Sequence, residues 1–174
     1  TNPSTSNYAS ASPTFTLATE LLKLRTGASM QRVSYRGTND AVLAVLGNQV
    51  TTAMTDTLPA IPLLKDGKLR ALAVTSPSRL AELPDVPTMA EAGITGAEAV
   101  FWTGLFVAKA TPKEIVSRLE AEVRTAMQDA EIRQRLRALA TDAASSSPAE
   151  FTDRIKKDLK AWSDVAKTAN VTIE

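Results

Sequence analysis

The sequence predicts an α/β fold in which a parallel-sheet domain is followed by C-terminal helices. Two observations predict it. As far as Val74, short apolar runs that end in polar turns alternate with helical segments. In the last third, apolar residues recur every fourth position behind proline-marked helix starts. The first pattern implies right-handed crossovers and a sheet covered on both faces. The second implies helices that each bury one stripe.

Each element has its own signal. Thr1 to Asn7 is polar and reads as a loop or frayed end. Tyr8-Ala9-Ser10 ends a short strand. Ser12 then serves as N-cap, Pro13 as first helical residue, Leu17, Leu21, Leu22 and Leu24 as apolar face, and Gly27 as stop. Met30 to Tyr35 alternates as a strand does. A short, nearly all-apolar helix follows Gly37 and ends at Gly47-Asn48. Val50 to Met54 is a strand, Pro59 to Lys65 a short helix, and Leu69 to Val74 a dense apolar strand of the kind buried on both faces.

Ser76 to Gly96, punctuated by Pro77, Pro84 and Pro87, reads as an ordered loop with one helical turn near Met89-Ala92. Ala97 to Ala108 is apolar and aromatic and reads as one strand, or two broken at Gly104. Thr111-Pro112-Lys113-Glu114 and Ser147-Pro148-Ala149-Glu150 are capping boxes. Behind them run the stripes Ile115, Leu119, Val123, Met127 and Phe151, Ile155, Leu159, Trp162, Ala166. Such stripes need a surface to cover them.

Composition narrows the function. The 174 residues include no histidine and no cysteine, which removes thiol nucleophiles, Ser-His dyads and the usual zinc sites. A net charge of +1 offers no field for nucleic acid. No apolar run approaches the roughly 20 residues that cross a bilayer. There is no P-loop, no dinucleotide glycine fingerprint and no metal-ligand cluster. The expectation is a binding protein without cofactor, metal or catalytic residues. No signal peptide opens the chain, and Thr1 reads as a processed or truncated start.

Parallel sheets bind ligands where strands end and helices begin, because free first-turn N–H groups and the helix dipole favour anions there. Three turns qualify. Ser10, Ser12 and Thr14 form either a hydroxyl cradle or an ordinary N-cap. Tyr35, Gly37 and Thr38 either meet a carboxylate with hydroxyl and backbone N–H groups, or make a plain turn in which Gly37 supplies a positive φ. Asp56, with Thr57 beside it, either accepts hydrogen bonds from a ligand amine or hydroxyl, or caps the helix before Pro59. Phe101 and Trp102 are pocket walls or core.

Several stretches together carry a resemblance. "YASASPT", "VSYRGTNDAVLAVLGNQV", "GKLRALAVTSPSRLAELPDVPTMAEAG", "FWTGLFVAKATPKEIVSRL" and a helix opened by "SPAEF" occur in this order. The chain resembles the receptor, or Bug-type, solute-binding proteins of tripartite tricarboxylate transporters over nearly its whole length. The resemblance implies a type II periplasmic-binding-protein-like fold of two α/β domains with a cleft between them. It implies a periplasmic receptor that captures a small carboxylate (a dicarboxylate, tricarboxylate, acidic amino acid or aromatic acid). The receptor delivers it, chemically unchanged, to membrane permease subunits. The carboxylate is held by strand-to-helix loops, partly through water.

By the same resemblance, residues 1–104 are most of the second ligand-binding domain. Residues 105–174 are the helical segment that in the family packs on the first domain. Without that domain, the helical stripes are exposed or bury themselves through self-association with a second copy. Tyr35 and Thr38 carry over from the family's second carboxylate loop, and Asp56 and Thr57 from its third. The family's first loop is a serine-x-glycine-x-glycine-serine pattern. Ser10-Ala11-Ser12-Pro13-Thr14 is shorter and lacks the glycines that let backbone approach an anion. Ser34 stands where proline is common. The glycine-free loop supports an alternative: a sensor or interaction domain of the same fold with degraded ligand binding.

Overall fold

A computed structural model describes residues 6–172. It divides into two compact units, one built from the described residues up to Val100 and from Trp162 onward, the other from Phe101–Ala161.

The first unit is organised by a three-stranded parallel sheet. Strand β1 (Asn7–Ser10) lies in the middle, with β2 (Gln31–Ser34) on one side and β3 (Thr52–Ala53) on the other. Ser10 is level with Ser34, and Ala9 with Ala53, so the three strands end at one edge. Helix α1 (Pro13–Thr26) returns the chain from β1 to β2. Helix α2 (Thr38–Leu46) carries it across to β3, and α3 (Thr57–Lys65) leaves β3. Each helix therefore begins just beyond a strand tip at the same edge. The order β2-β1-β3 reverses direction at the central strand, which makes that edge a topological switch point.

The core is small. Ala9, Ala41, Ala44 and Val50 form it, with Val33, Tyr35, Val45 and Ala53 packed around. Alanine at three of these positions brings α2 close to β1. Tyr8 is fully buried, and its hydroxyl donates to Glu20 Oε1 at 2.7 Å. Lys23 pairs with the same carboxylate at 2.8 Å, with its ammonium 5.8 Å from the Tyr8 ring centre. Burial, then the Glu20 hydrogen bond, raise the Tyr8 pKa well above that of an ordinary phenol.

Several sequence expectations hold. Ser12 caps α1, with its Oγ accepting from Phe15 N–H at 3.3 Å, and Pro13 opens the helix. Gly27 stops it in the left-handed region, φ 68°. Ala92 N–H reaches Thr88 C=O at 3.0 Å, the single helical turn expected there.

Others need correction. Leu69–Val74 is not a ladder strand: one isolated bridge joins Val74 to Thr88, and Leu72 is 66% exposed. A dense apolar run becomes a strand only where another backbone lies alongside it, and among the described residues one does so only at Val74. Ala97–Ala108 likewise forms no strand. Only its start is buried, at Ala97 and Ala99, where Ala99 N–H donates to Thr75 C=O at 3.0 Å. In α1 the buried residues are Phe15 to Glu20, and Leu24 is exposed. Burial covers six consecutive residues in the first half of α1, so position along the helix overrides the leucine stripe. Helix α3 starts two residues before the proline expected to open it.

The second unit is helical: α4 (Lys113–Gln128), α5 (Ala130–Ala138) and most of α6 (Pro148–Thr168). The Ser147 capping box forms reciprocally. Glu150 N–H donates to Ser147 Oγ at 3.3 Å, and Ser147 N–H to Glu150 Oε2 at 2.8 Å. The box expected at Thr111 does not: Pro112 occupies the cap position, which has no side-chain hydrogen bond. Phe101–Val107 is held against α6 by aromatic contacts. Trp102 meets the Phe151 ring edge-on at 4.9 Å and Phe106 meets it at 5.3 Å, while Trp102 Nε1–H donates to Asp158 Oδ2 at 2.6 Å. A β-carbon at Gly104 would run into the Phe151 ring. No residue of α4, α5 or α6 is buried. No helix among the described residues is long and apolar enough to cross a membrane.

Candidate functional site

The three turns beyond the strand tips differ in one respect: what occupies the free N–H groups of the helix that follows. At α1 they are partly taken. Ser12 Oγ accepts one, and Pro13 at the first helical position has none. Ser10 is buried, with its hydroxyl 2.6 Å from Thr16 Oγ1 and 3.2 Å from Ser12 C=O. Thr14 is exposed. Here the capping alternative describes the turn, and Ser10 faces its own helix.

At α2 the cap position is Gly37, which has no side chain to offer. Its φ of −161° is ordinary extended backbone, so the expected positive φ is absent. A β-carbon there would meet nothing within 4 Å. Neither conformation nor crowding demands glycine at this point, and its effect is open space before the helix. The first helical bond is Ala41 N–H to Gly37 C=O at 3.1 Å. The N–H groups of Thr38, Asn39 and Asp40 precede it and have no helical acceptor. Tyr35 is half-buried against the core, and its N–H donates to Ser10 C=O at 2.9 Å.

At α3 the cap position is Asp56, a residue that ordinarily accepts N–H groups of its own helix. It makes no such bond. Its carboxylate turns across the sheet edge instead, where Thr38 Oγ1 donates to Asp56 Oδ2 at 3.3 Å. The expected capping role is therefore not realised. Strand order explains the reach: β2 and β3 flank β1, so the turns that follow them face each other over its tip. Among the described residues no ion pair engages Asp56. Thr57, the first residue of α3, is half-buried.

One residue escaped the sequence reading. The Thr55 hydroxyl, in the turn between β3 and Asp56, is buried without a hydrogen-bond partner among the described residues. No local pattern marks it, since its isolation depends on which chains surround it.

The structure thus joins Thr38 and Asp56, sets Gly37 and Thr57 beside them, and leaves Ser10, Ser12 and Thr14 in a turn closed by its own cap. Two helix N-termini with unfilled N–H groups suit a carboxylate. A separate hollow of about 470 Å³ on α6 is walled by Glu150, Asp153, Arg154, Lys157 and Asp158. Three acids against two bases make it a poor place for an anion.

A family model described as "Tripartite tricarboxylate transporter family receptor" matches residues 1–171. A UPF0065 protein from the tcbD-tcbE intergenic region of Pseudomonas sp. strain P51 is 33% identical over 164 residues, covering 92% of this chain and 49% of that protein. An R. palustris protein solved with adipate superposes with a TM-score of 0.83 at 29% identity, over 96% of this chain and 56% of the other. MatC from Rhodopseudomonas palustris with bound malate gives 0.75 at 29% identity, over 92% and 56%. The chain spans about half the length of the relatives it matches. It belongs to the tripartite tricarboxylate transporter receptor family.

Proposed function

We propose that the chain forms part of a periplasmic solute-binding receptor and receives a small organic carboxylate at the open ends of α2 and α3. One observation carries the reading. Two helix N-termini, at Thr38 and Thr57, face one strand edge with no side chain capping either. A carboxylate there would take the N–H groups of residues 38–40 and 57–58, with the Thr38 hydroxyl beside them. The adipate and malate held by two relatives support this ligand class. On this reading the receptor hands the ligand to a membrane permease, and membership of a transporter receptor family supports that step.

On this reading residues 1–104 supply one wall of the ligand cleft. Residues 105–174 pack on another domain of the whole receptor or on a second copy, in line with α4 to α6 burying no residue. Amide-resolved NMR titration of the chain with malate and with adipate tests the site. The expected result is saturable movement of the Thr38–Asp40 and Thr57–Leu58 signals. Equal small shifts across the whole surface, or none, would refute it.

The closed turn at Ser10–Thr14 favours a second reading, an interaction domain of the same fold that no longer takes up ligand. Capture of a partner protein together with an unresponsive Thr38 signal would favour that reading.

A further inference from the structure

We propose that the apolar strip formed by residues 101–108 is the centre of a symmetric interface with a second copy of this chain. The inference does not depend on the carboxylate site.

Burial sets the need for a cover. Not one residue of Phe101–Ala161 is buried. A unit without an interior gains little from the hydrophobic effect to set against the entropy of ordering its chain. The chain exposes 11,884 Å², whereas a compact monomer of this mass exposes about 8,200 Å², an excess of roughly 3,700 Å². Permanent homodimers bury on the order of 1,000–2,500 Å² of each subunit, which removes a large part of such an excess. A brief encounter, at about 800 Å² per side, leaves most of it in water.

The exposed apolar side chains concentrate in the strip. Leu105 and Phe106 are each 65% exposed, and Val107 is 46% exposed. The strip is nonetheless fastened. Trp102 Nε1–H donates to Asp158 on α6, and the Phe151 ring contacts those of Trp102 and Phe106. Fastening beforehand lowers the ordering cost that a loose segment bears on association.

Charge identifies the occupant. Residues 101–108 include no charged side chain, so a protein surface of either sign finds nothing there to pair with. Across a two-fold axis the strip meets its own equal, and no like charges are opposed within it. The net charge of +1 adds almost no repulsion between copies.

Sedimentation equilibrium of the full chain over a concentration series reads the association, and the limiting mass should be twice that of the chain. Leu105→Asp places a charge against its own copy and should raise the dimer dissociation constant roughly tenfold or more. Leu72→Asp is the control, because Leu72 is 66% exposed in the other unit, and it should leave the constant unchanged. Circular dichroism follows the fold of both variants. If Leu105→Asp melts early, the neutral Leu105→Asn replaces it and should weaken the dimer in the same direction. Sodium chloride at about 1 M should leave the dimer intact, since no ion pair holds the strip.

A chain that stays monomeric overturns the proposal, including one whose strip is shielded from hydrogen exchange by its own first unit. So does a dimer weakened equally by both substitutions or by neither, or one that salt dissociates. Each of these outcomes leaves the carboxylate reading standing.

Discussion

Removing one oxygen from Tyr8 tests the packing that aligns the sheet edge. Tyr8 is fully buried in the central strand, and its hydroxyl donates to Glu20, which is 7% exposed. The Tyr8→Phe substitution keeps the ring and deletes that donor. Glu20 retains Lys23 at 2.8 Å, so the carboxylate stays partly compensated. A hydrogen bond to a charged group contributes about 1.5–3 kcal/mol. For a protein of this size that lowers the unfolding midpoint by roughly 3–12 °C, at about 2–4 °C per kcal/mol.

The pH dependence has a definite sign. The folded state holds the Tyr8 proton more tightly than the unfolded chain does, because burial and Glu20 raise its pKa. The stabilisation is thus fully present below the unfolded phenol value of about 10 and declines as pH rises above it. Tyr8→Phe should remove that alkaline decline while costing stability at neutral pH. Chemical denaturation monitored by circular dichroism at a series of pH values measures both effects. An unchanged neutral midpoint, or an identical alkaline slope in the variant, would refute the reasoning.

Two further substitutions separate alternatives. Ser12→Ala should cost about 1 kcal/mol through the lost cap of α1 and leave carboxylate binding unaltered, because that turn is closed by its own side chains. A fall in ligand affinity without a fall in stability would restore the cradle reading. Gly104→Ala should destabilise the second unit by about 1–3 kcal/mol, since the added methyl meets the Phe151 ring. Loss of the near-ultraviolet signal of Trp102, which meets the same ring edge-on, reports the displacement. An unchanged melt and spectrum would mean that the ring moves aside at no cost.

How much was legible in the sequence depended on how far apart the cooperating residues lie. Helix starts and stops are set within about four residues, and Ser12, Pro13, Gly27 and the Ser147 box were read correctly for that reason. Alternation of strand-like and helical runs was enough to expect a parallel sheet, and one family's motifs run along nearly the whole chain. The run Leu69–Val74 failed because its apolar composition describes a buried strand without supplying a neighbour. The box at Thr111 failed because Pro112 took the cap position.

By itself, then, the sequence determined where helices begin, that the strands run parallel, which family the chain resembles, and that histidine and cysteine chemistry is closed to it. Only the tertiary structure decided which helix ends are open. Asp56 lies 18 residues from Thr38, and Glu20 lies 12 from Tyr8. A carboxylate caps its own helix or reaches for a neighbouring one according to whether the fold brings a competing donor within range. Here the strand order β2-β1-β3 sets the turns after β2 and β3 face to face, and Thr38 is that donor.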